Sequence, residues 1–359
     1  MAKKKDDVDD ILNALQNDFE KKFGDGSASR LTDPSTLSTV DYWISTGNIV
    51  VDSVLRGGRP VGSSLLPFGR QVEISGLEHS GKTTLCAQIA AEVQRLGGLV
   101  IVTDTEERIA KDYWTKLGVD VSKTLRIQAD SVEDVFNKQY EMLTMVHKIA
   151  SDKPTLMLWD SLGGTSTKDM IDPKSKDTAM TQIKQAYGKS AKDISDGMRL
   201  INSIVAETRA CYLYTNHMYT KVGATYGPKY ETYGGQKPKY MATVRLQLTR
   251  VGAIKEKDQF SAKEREIGAR IRVRALKNSM APQMLTRDAV LLGDRGFVND
   301  YSVFDEGVKA GVITKAGAWS TWKAPSGEEI KFQGFNGFET KVVPHPEYTE
   351  LFSQVNASL

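Results

Sequence analysis

The stretch Gly76-Leu77-Glu78-His79-Ser80-Gly81-Lys82-Thr83-Thr84 decides how the chain reads. It fits G-x-x-x-x-G-K-[ST], a loop in which glycines let the backbone curl until its N–H groups face an anion. In such a loop Lys82 reaches the β- and γ-phosphates of ATP, and Thr83 offers its hydroxyl to Mg²⁺. The flanks agree. Gln71-Val72-Glu73-Ile74-Ser75 reads as a short strand, and residues 82–96 read as a helix, with Leu85, Ile89, Ala90, Val93 and Leu96 at helical spacing. The N-terminus of that helix adds positive potential where a phosphate would lie.

Length and composition set outer limits. The chain has 359 residues, 40% hydrophobic and 26% charged, which suits a large core with small appendages. A net charge of +3 gives no bulk signal for nucleic acid, so any basic surface must be local. Cys86 and Cys211 lie far apart in apolar contexts and read as reduced core residues of a cytoplasmic protein. No apolar run approaches the length of a membrane span, and Lys3, Lys4 and Lys5 precede no apolar stretch, so neither a membrane partner nor a secretory signal is expected.

Outward from the loop, the chain alternates. Residues 8–23 form an amphipathic helix with Val8, Ile11, Leu12, Leu15 and Phe19 on one face, broken by Gly24-Asp25-Gly26-Ser27. Its stripe could pack on its own core or on a neighbouring subunit. Gly97-Gly98 stops the helix after the loop. Leu99-Val100-Ile101-Val102-Thr103 reads as a buried parallel strand and ends in Asp104-Thr105-Glu106-Glu107, acid at a strand end where α/β sheets place ligands. Residues 109–117 read as a helix closed by Gly118. Ser131-Val132-Glu133-Asp134 reads as a capped start to a helix reaching about residue 150. Thr155-Leu156-Met157-Leu158-Trp159-Asp160 is a second buried strand whose terminal acid meets the Mg²⁺ shell. Residues 163–186 read as a mobile polar loop, residues 189–208 as a long helix, and Cys211-Tyr212-Leu213-Tyr214-Thr215 as a strand ending in Asn216-His217.

Residues 218–239 then carry Tyr219, Tyr226, Tyr230 and Tyr233 among Lys221, Lys229, Lys237 and Lys239, with Glu231 as the one acid. Gly223, Gly227, Gly234 and Gly235 argue against regular structure. Aromatics that stack on bases, with lysines for phosphates, suit single-stranded nucleic acid. Residues 243–249 and 270–275 alternate strictly and read as an antiparallel pair with one wet face. A short helix at 301–310 and a Gly-, Trp- and Phe-rich stretch at 311–339 read as a small α+β unit.

Taken in order, the loop, Glu106, Asp160, Asn216-His217 and the basic-aromatic stretch resemble the RecA family of homologous-recombination ATPases. So do Phe23-Gly24-Asp25-Gly26-Ser27, Ile44-Ser45-Thr46-Gly47, Lys116-Leu117-Gly118-Val119-Asp120, Asp160-Ser161, Tyr233-Gly234-Gly235, Lys277-Asn278 and Lys315-Ala316-Gly317-Ala318-Trp319. The resemblance covers nearly the whole chain. It implies an α/β fold: a RecA-type P-loop ATPase core with a mixed, mostly parallel sheet, an N-terminal helix and a small α+β C-terminal domain. It implies an oligomerisation helix and linker at 1–37, a core with DNA-binding loops at 38–297, and a C-terminal domain at 298–359.

The resemblance also implies roles. Glu106 matches the glutamate that orients the attacking water, and Tyr113 the tyrosine stacked on adenine. Lys277 matches a lysine reaching the γ-phosphate of the neighbouring subunit. The segment after Asp160 matches a first DNA-binding loop, with Lys192 and Arg199 near DNA on the following helix. Residues 218–239 match a second, with Tyr226 at its tip and Tyr219, Lys221, Lys229, Tyr230, Gly234 and Gly235 along it. The N-terminal helix matches one that packs on the adjacent protomer of a helical filament. His217 stands where the bacterial protein has glutamine, while phage recombinases of the UvsX type also have Asn-His here. Ser279 stands where a second trans-acting lysine is expected, and Leu292 where an aromatic is expected. The first loop region is longer than the bacterial one. The chain ends without an acidic tail, which implies duplex binding without tail-based damping.

The expected function is ATP- and Mg²⁺-dependent strand exchange by a filament on single-stranded DNA that pairs with duplex. The competing expectations are a ring helicase, or an ATP-switched DNA-binding scaffold. His217, at a strand end beside the phosphate crevice and one residue before the DNA loop, is expected to bond the γ-phosphate and to couple the two sites.

Overall fold

A computed structural model describes residues 8–32, 40, 42–63, 65–168, 179–220, 230–257 and 264–359. The chain divides into two compact units, Met1–Asp41 and Tyr42–Leu359. In the first, α1 (Val8–Phe23) has Asp9 and Asp10 in its first turn and Lys21 and Lys22 in its last, which complements the helix dipole. Arg30 folds back on it, donating to Asp9 Oδ1 and Asn13 Oδ1, each at 3.0 Å. No residue of α1 is buried within the described structure.

The second unit opens with β1 (Trp43–Ile44), α2 (Ile49–Arg56) and β2 (Leu66–Pro67). The central run is β3 (Arg70–Gly76), α3 (Lys82–Arg95), β4 (Leu99–Asp104), α4 (Lys111–Lys116), β5 (Thr124–Ile127), α5 (Val132–Ile149) and β6 (Thr155–Asp160). There follow α6 (Ala179–Thr208), β7 (Cys211–Thr220), β8 (Tyr230–Thr232), α7 (Lys237–Met241), β9 (Val244–Lys257), β10 (Glu264–Asn278), β11 (Thr286–Leu292) and β12 (Gly296–Phe297). The main sheet runs in the order β12-β11-β10-β9-β3-β7-β6-β4-β5, with β8 paired to β7. Strands from β9 through β3 to β5 are parallel, and β9 to β12 are antiparallel, so the sheet is mixed and mostly parallel at its centre.

The unbroken apolar runs of the central strands follow from cover on both faces. Val100, Val102, Leu156, Leu158, Cys211 and Leu213 face the cluster that holds Leu85, Cys86, Ile89 and Val93 of α3. Ile101, Met157, Trp159, Tyr212 and Tyr214 face the cluster that holds Phe136 and Leu143 of α5 and Ile194, Met198 and Ile201 of α6. Burial pushes the Cys211 thiol up to about 12 and raises Cys86 as well, so both stay protonated in the core.

Local signals act where the sequence places them. Gly97 (φ 73°) and Gly98 end α3, their N–H groups bonding Gln94 O and Val93 O at 2.9 and 3.0 Å. Ser131 caps α5 by accepting from Asp134 N at 3.2 Å. α4 stops before Gly118, at φ 94°.

Three expectations need correction. The long helix α6 already includes Ala179, the first residue described after 168, so residues 179–186 are helical rather than loop. Its polar, mixed-charge start hid the period. β7 does not end at Thr215 but continues to Thr220, and β8 pairs back on it with Tyr219 opposite Glu231. The base of the Tyr-Lys stretch is therefore a hairpin and its end is the short helix α7, with Gly234 and Gly235 in the irregular turn between them. The antiparallel pair is longer than its alternation suggested, with Glu264 still opposite Lys257, because the exposed tips carry charges on both faces.

The C-terminal part has α8 (Asn299–Lys309), an antiparallel sheet of β13 (Ile313–Ala316), β14 (Trp319–Lys323) and β15 (Glu329–Gln333), then α9 (Gly334–Lys341) and α10 (Tyr348–Ser358). Phe304, Trp322, Phe332 and Phe338 fill its interior and join the main core.

Candidate nucleotide site and nucleic-acid hairpin

The C-terminal ends of β3, β4, β6 and β7 lie side by side, and a cleft of about 430 Å³ opens over them. It is walled by the loop between β3 and α3, and by Glu106, Arg108, Asp160 and His217. The loop curls through left-handed residues His79 (φ 57°) and Gly81 (φ 87°). Gly76 has no room for a side chain, since a Cβ there would lie 2.5 Å from the Leu248 carbonyl oxygen and 2.4 Å from Ser80 Oγ. No side-chain bond caps the N-terminus of α3 among the described residues, which leaves its first N–H groups directed at the cleft. Such a lining fits an anionic ligand such as a nucleotide phosphate.

Lys82 Nζ donates to the carbonyls of Gly76 (3.0 Å) and Leu77 (3.1 Å). Burial lowers its pKa, against the opposing pull of Asp160 and Glu106. Thr83 Oγ1 donates to Asp160 Oδ2 at 2.6 Å, and Thr215 holds the other oxygen of the same carboxylate. Burial raises the Asp160 pKa, these two hydrogen bonds oppose it, and the nearby Glu106 and Asp104 add to the rise. A hydroxyl and a carboxylate so placed fit Mg²⁺, which takes one or two protein oxygens and completes its shell with phosphate and water. That ion would supply charge neutralisation at the phosphates.

Glu106 is gripped on both oxygens. Oε1 receives the Ser161 hydroxyl and His217 Nε2, the latter at 2.5 Å, and Oε2 faces Arg108 Nη1 at 3.1 Å. Burial alone would raise its pKa, but the hydrogen bonds from Ser161 and His217 and the charges of His217 and Arg108 outweigh it and hold the carboxyl below its ordinary value. An ionised carboxylate at this place can orient or deprotonate a water. Sequence reading singled out Glu106 and His217 but not the contact between them. It gave Arg108, Ser161 and Thr215 no role at the site: Ser161 and Thr215 reach their carboxylates only when neighbouring strands meet, and Arg108 only through the turn after β4.

Tyr113 stands behind the loop, its hydroxyl 3.1 Å from Thr84 Oγ1. Lys277 is not among the residues lining this cleft. Its Nζ donates to the carbonyls of Lys239 (3.3 Å) and Tyr240 (2.8 Å), and burial, then the nearby Arg245, lower its pKa.

β7 carries the structure from the cleft to the hairpin. His217 faces the cleft, and Met218, Tyr219 and Thr220 pair with β8. Tyr219 is half-exposed and Tyr230 partly buried. Gly234 (φ 91°) turns the chain where a Cβ would meet Pro238, Ile194 and Leu162 at 3.0–3.4 Å, and Gly235 (φ 75°) follows. Lys239 is bonded to Glu231 with both side chains largely buried, so its charge is spent inside the hairpin base. Lys192 and Arg199 are exposed on α6, seven residues and so two turns apart, and Arg199 also pairs with Asp196 at 3.4 Å. Lys221, Tyr226 and Lys229 lie outside the described residues.

A buried network ties this base to the phosphate-loop strand. Glu73 of β3 accepts from Asn216 Nδ2 at 2.9 Å and from Arg245 of β9, and Asn216 Nδ2 also reaches the Tyr233 carbonyl at 3.0 Å.

Comparison with known proteins agrees with this architecture. The model of the RecA N-terminal domain matches residues 10–297. Protein RecA of Thioalkalivibrio sulfidiphilus is 32% identical, over 94% of this chain and 89% of its own length. Protein RecA of Heliobacterium modesticaldum is 32% identical over 88% and 84%, and that of Legionella pneumophila 31% over 97% and 92%.

Proposed function

The chain belongs to the RecA family, and from that premise we propose that this RecA-like recombinase binds ATP in the cleft and works as a filament on DNA. One observation carries the reading. Lys82, Thr83, Asp160, Glu106 and His217 converge on one cleft from four adjacent strands, and one of those strands runs without a break into the basic-aromatic hairpin.

In this reading Lys82 and the N-terminus of α3 hold the phosphates, and Thr83 and Asp160 hold Mg²⁺. Glu106 orients the attacking water. Tyr113 contacts the base, and Lys277 reaches a neighbouring protomer's nucleotide. His217 senses the γ-phosphate and, through β7, fixes the root of the hairpin. Tyr219, Tyr226 and Tyr230 stack on bases while Lys192, Arg199, Lys221 and Lys229 neutralise phosphates. Sequence specificity then comes from base pairing between strands, so side chains need not read base edges. Residues 1–37 join protomers, 38–297 form the catalytic core, and 298–359 are a C-terminal domain. Two reduced cysteines suit a cytoplasmic protein, and among the described residues no helix is long and apolar enough to cross a membrane.

The matches to recombinases over most of the chain weigh against a ring helicase. Electron microscopy with single-stranded DNA and a slowly hydrolysed ATP analogue tests the assembly: helical filaments are expected, and closed rings would overturn it. A joint-molecule assay with homologous duplex then separates strand exchange from passive scaffolding.

A further inference from the structure

Arg108 falls in no motif, yet it lines the cleft beside Lys82, Thr83, Asp160 and His217. The backbone puts it there. Asp104 ends β4, and its carboxylate accepts from the N–H groups of Glu106 (3.2 Å), Arg108 (3.4 Å) and Ile109 (3.0 Å). Three such bonds fix the turn. Within it Glu107 adopts φ 54°, a left-handed conformation uncommon for a residue with a Cβ. The kink lets side chains two residues apart meet, so that Arg108 Nη1 lies 3.1 Å from Glu106 Oε2.

We propose that Arg108 is a further catalytic residue, an arginine supplied by the same subunit that turns from Glu106 to the γ-phosphate of bound ATP and stabilises the charge developing there. The inference rests on reading the cleft as an ATPase site. A carboxylate that orients the attacking water stands one water molecule from the γ-phosphorus. Arg108 stands one ion pair beyond, on the same carboxylate. Its side chain is 67% exposed, so packing does not hold it back. A planar guanidinium suits the phosphoryl oxygens better than an ammonium does, and arginines placed in this way in other nucleotide hydrolases act on the transition state. The position also answers a deficit: Ser279 stands where the family resemblance expects a second lysine from the neighbouring protomer. In the step itself, the water oxygen bonds the γ-phosphorus as the bond to the bridging oxygen breaks, and that electron pair leaves with ADP. The water proton passes to Glu106 or the product phosphate. Arg108 donates hydrogen bonds and transfers no proton.

The test combines ATP turnover, ADP affinity and mixed assemblies. Arg108→Ala should lower kcat on the order of 10²-fold, as for loss of one preorganised donor to developing charge. ADP affinity should be unchanged, because ADP has no γ-phosphate. Arg108→Lys should recover part of the rate, keeping charge but losing the fork. Filaments mixed from Arg108→Ala and Lys82→Ala protomers should hydrolyse no faster than the two kinds apart. Wild-type turnover in Arg108→Ala, or ADP affinity lost together with turnover, would overturn the proposal. A gain on mixing would also overturn it, by placing the arginine at the neighbour's nucleotide. A wild-type protein without any ATP turnover would instead overturn the ATPase reading beneath it.

Discussion

His217 Nε2 lies 2.5 Å from Glu106 Oε1, so the strand that leads into the hairpin touches the carboxylate at the mouth of the cleft directly. The two residues are far apart in sequence, and they meet because β7 and β4 flank β6. A group that bonds Glu106 in one state and a phosphate in another would report the nucleotide to the hairpin. Replacing His217 with Ala is expected to leave ATP binding nearly intact. It should abolish both the rise in hydrolysis on adding single-stranded DNA and the gain in DNA affinity on adding ATP, because coupling free energy is reciprocal. His217→Gln should restore much of both, since glutamine also donates. DNA affinity measured with and without an ATP analogue decides it, and an undiminished ATP effect in His217→Ala would reduce His217 to packing.

Glu106→Gln keeps the shape of the site but loses the base. ATP should still bind and filaments should persist, while turnover falls about 10²-fold or more. Lys82→Ala should instead weaken ATP binding. Turnover and nucleotide titrations on both variants separate binding from hydrolysis, and normal turnover in Glu106→Gln would remove it from the chemistry.

Glu106 should contribute a step to the acid limb of kcat/KM, which reports the free enzyme in which His217 and Arg108 still rest on its carboxylate. That step should lie below the one from Asp160, whose pKa burial raises. Burial pushes its pKa up, but the bonds from Ser161 and His217 and the charges of His217 and Arg108 leave it lowered. For a lowered carboxylate, the contribution to stability is present above the unfolded pKa and is lost as pH falls through the folded one. Glu106 therefore stays ionised through the neutral range, and its step lies below the ordinary glutamate value of about 4.3. Ser161→Ala removes one of the bonds and should move the step upward. A pH–rate profile, with circular dichroism at each pH to register unfolding, checks this; a step that stays put would mean another group sets it.

Tyr226→Ala should cost about 1–3 kcal/mol per stacked base in affinity for single-stranded DNA, and leave ATP affinity without DNA unchanged. Lys221→Gln and Lys229→Gln should instead flatten the salt dependence of binding. Lys239→Gln should not, since that lysine is already paired with Glu231. Filter binding across a salt series distinguishes the two kinds of change, and unaltered affinity in Tyr226→Ala would discard the stacking role.

Gly197 lets α6 close onto α5. A Cβ there would stand 2.0 Å from Phe136 Cδ2. Gly197→Ala should therefore destabilise the fold by about 1–3 kcal/mol through overpacking, despite the better helix propensity of alanine. Denaturant unfolding checks it; a stabilised variant would mean that the two helices can separate at no cost.

The sequence by itself determined the nucleotide loop, the buried strands and the two acids that end them. These signals are local: a glycine pattern bends the backbone over nine residues, and a strand covered on both faces must be apolar throughout. Lys82, Thr83, Glu106 and Asp160 could therefore be assigned to one site from spacing and family resemblance alone. Tertiary structure decided the rest. Strand order places Thr215 on Asp160 and His217 on Glu106, and spacing along the chain carries no record of which strand lies beside which. The turn held by Asp104 brings Arg108 into the cleft, where composition shows only one more charged residue. The base of the Tyr-Lys stretch is a hairpin because β7 supplies an edge for β8, and the residues that pair, 218–220 and 230–232, contain none of the glycines that argue for an irregular loop. Lys239 reads in the sequence as a phosphate ligand but is paired with Glu231 in the fold, since the partner of a largely buried charge is set by packing and not by sequence distance.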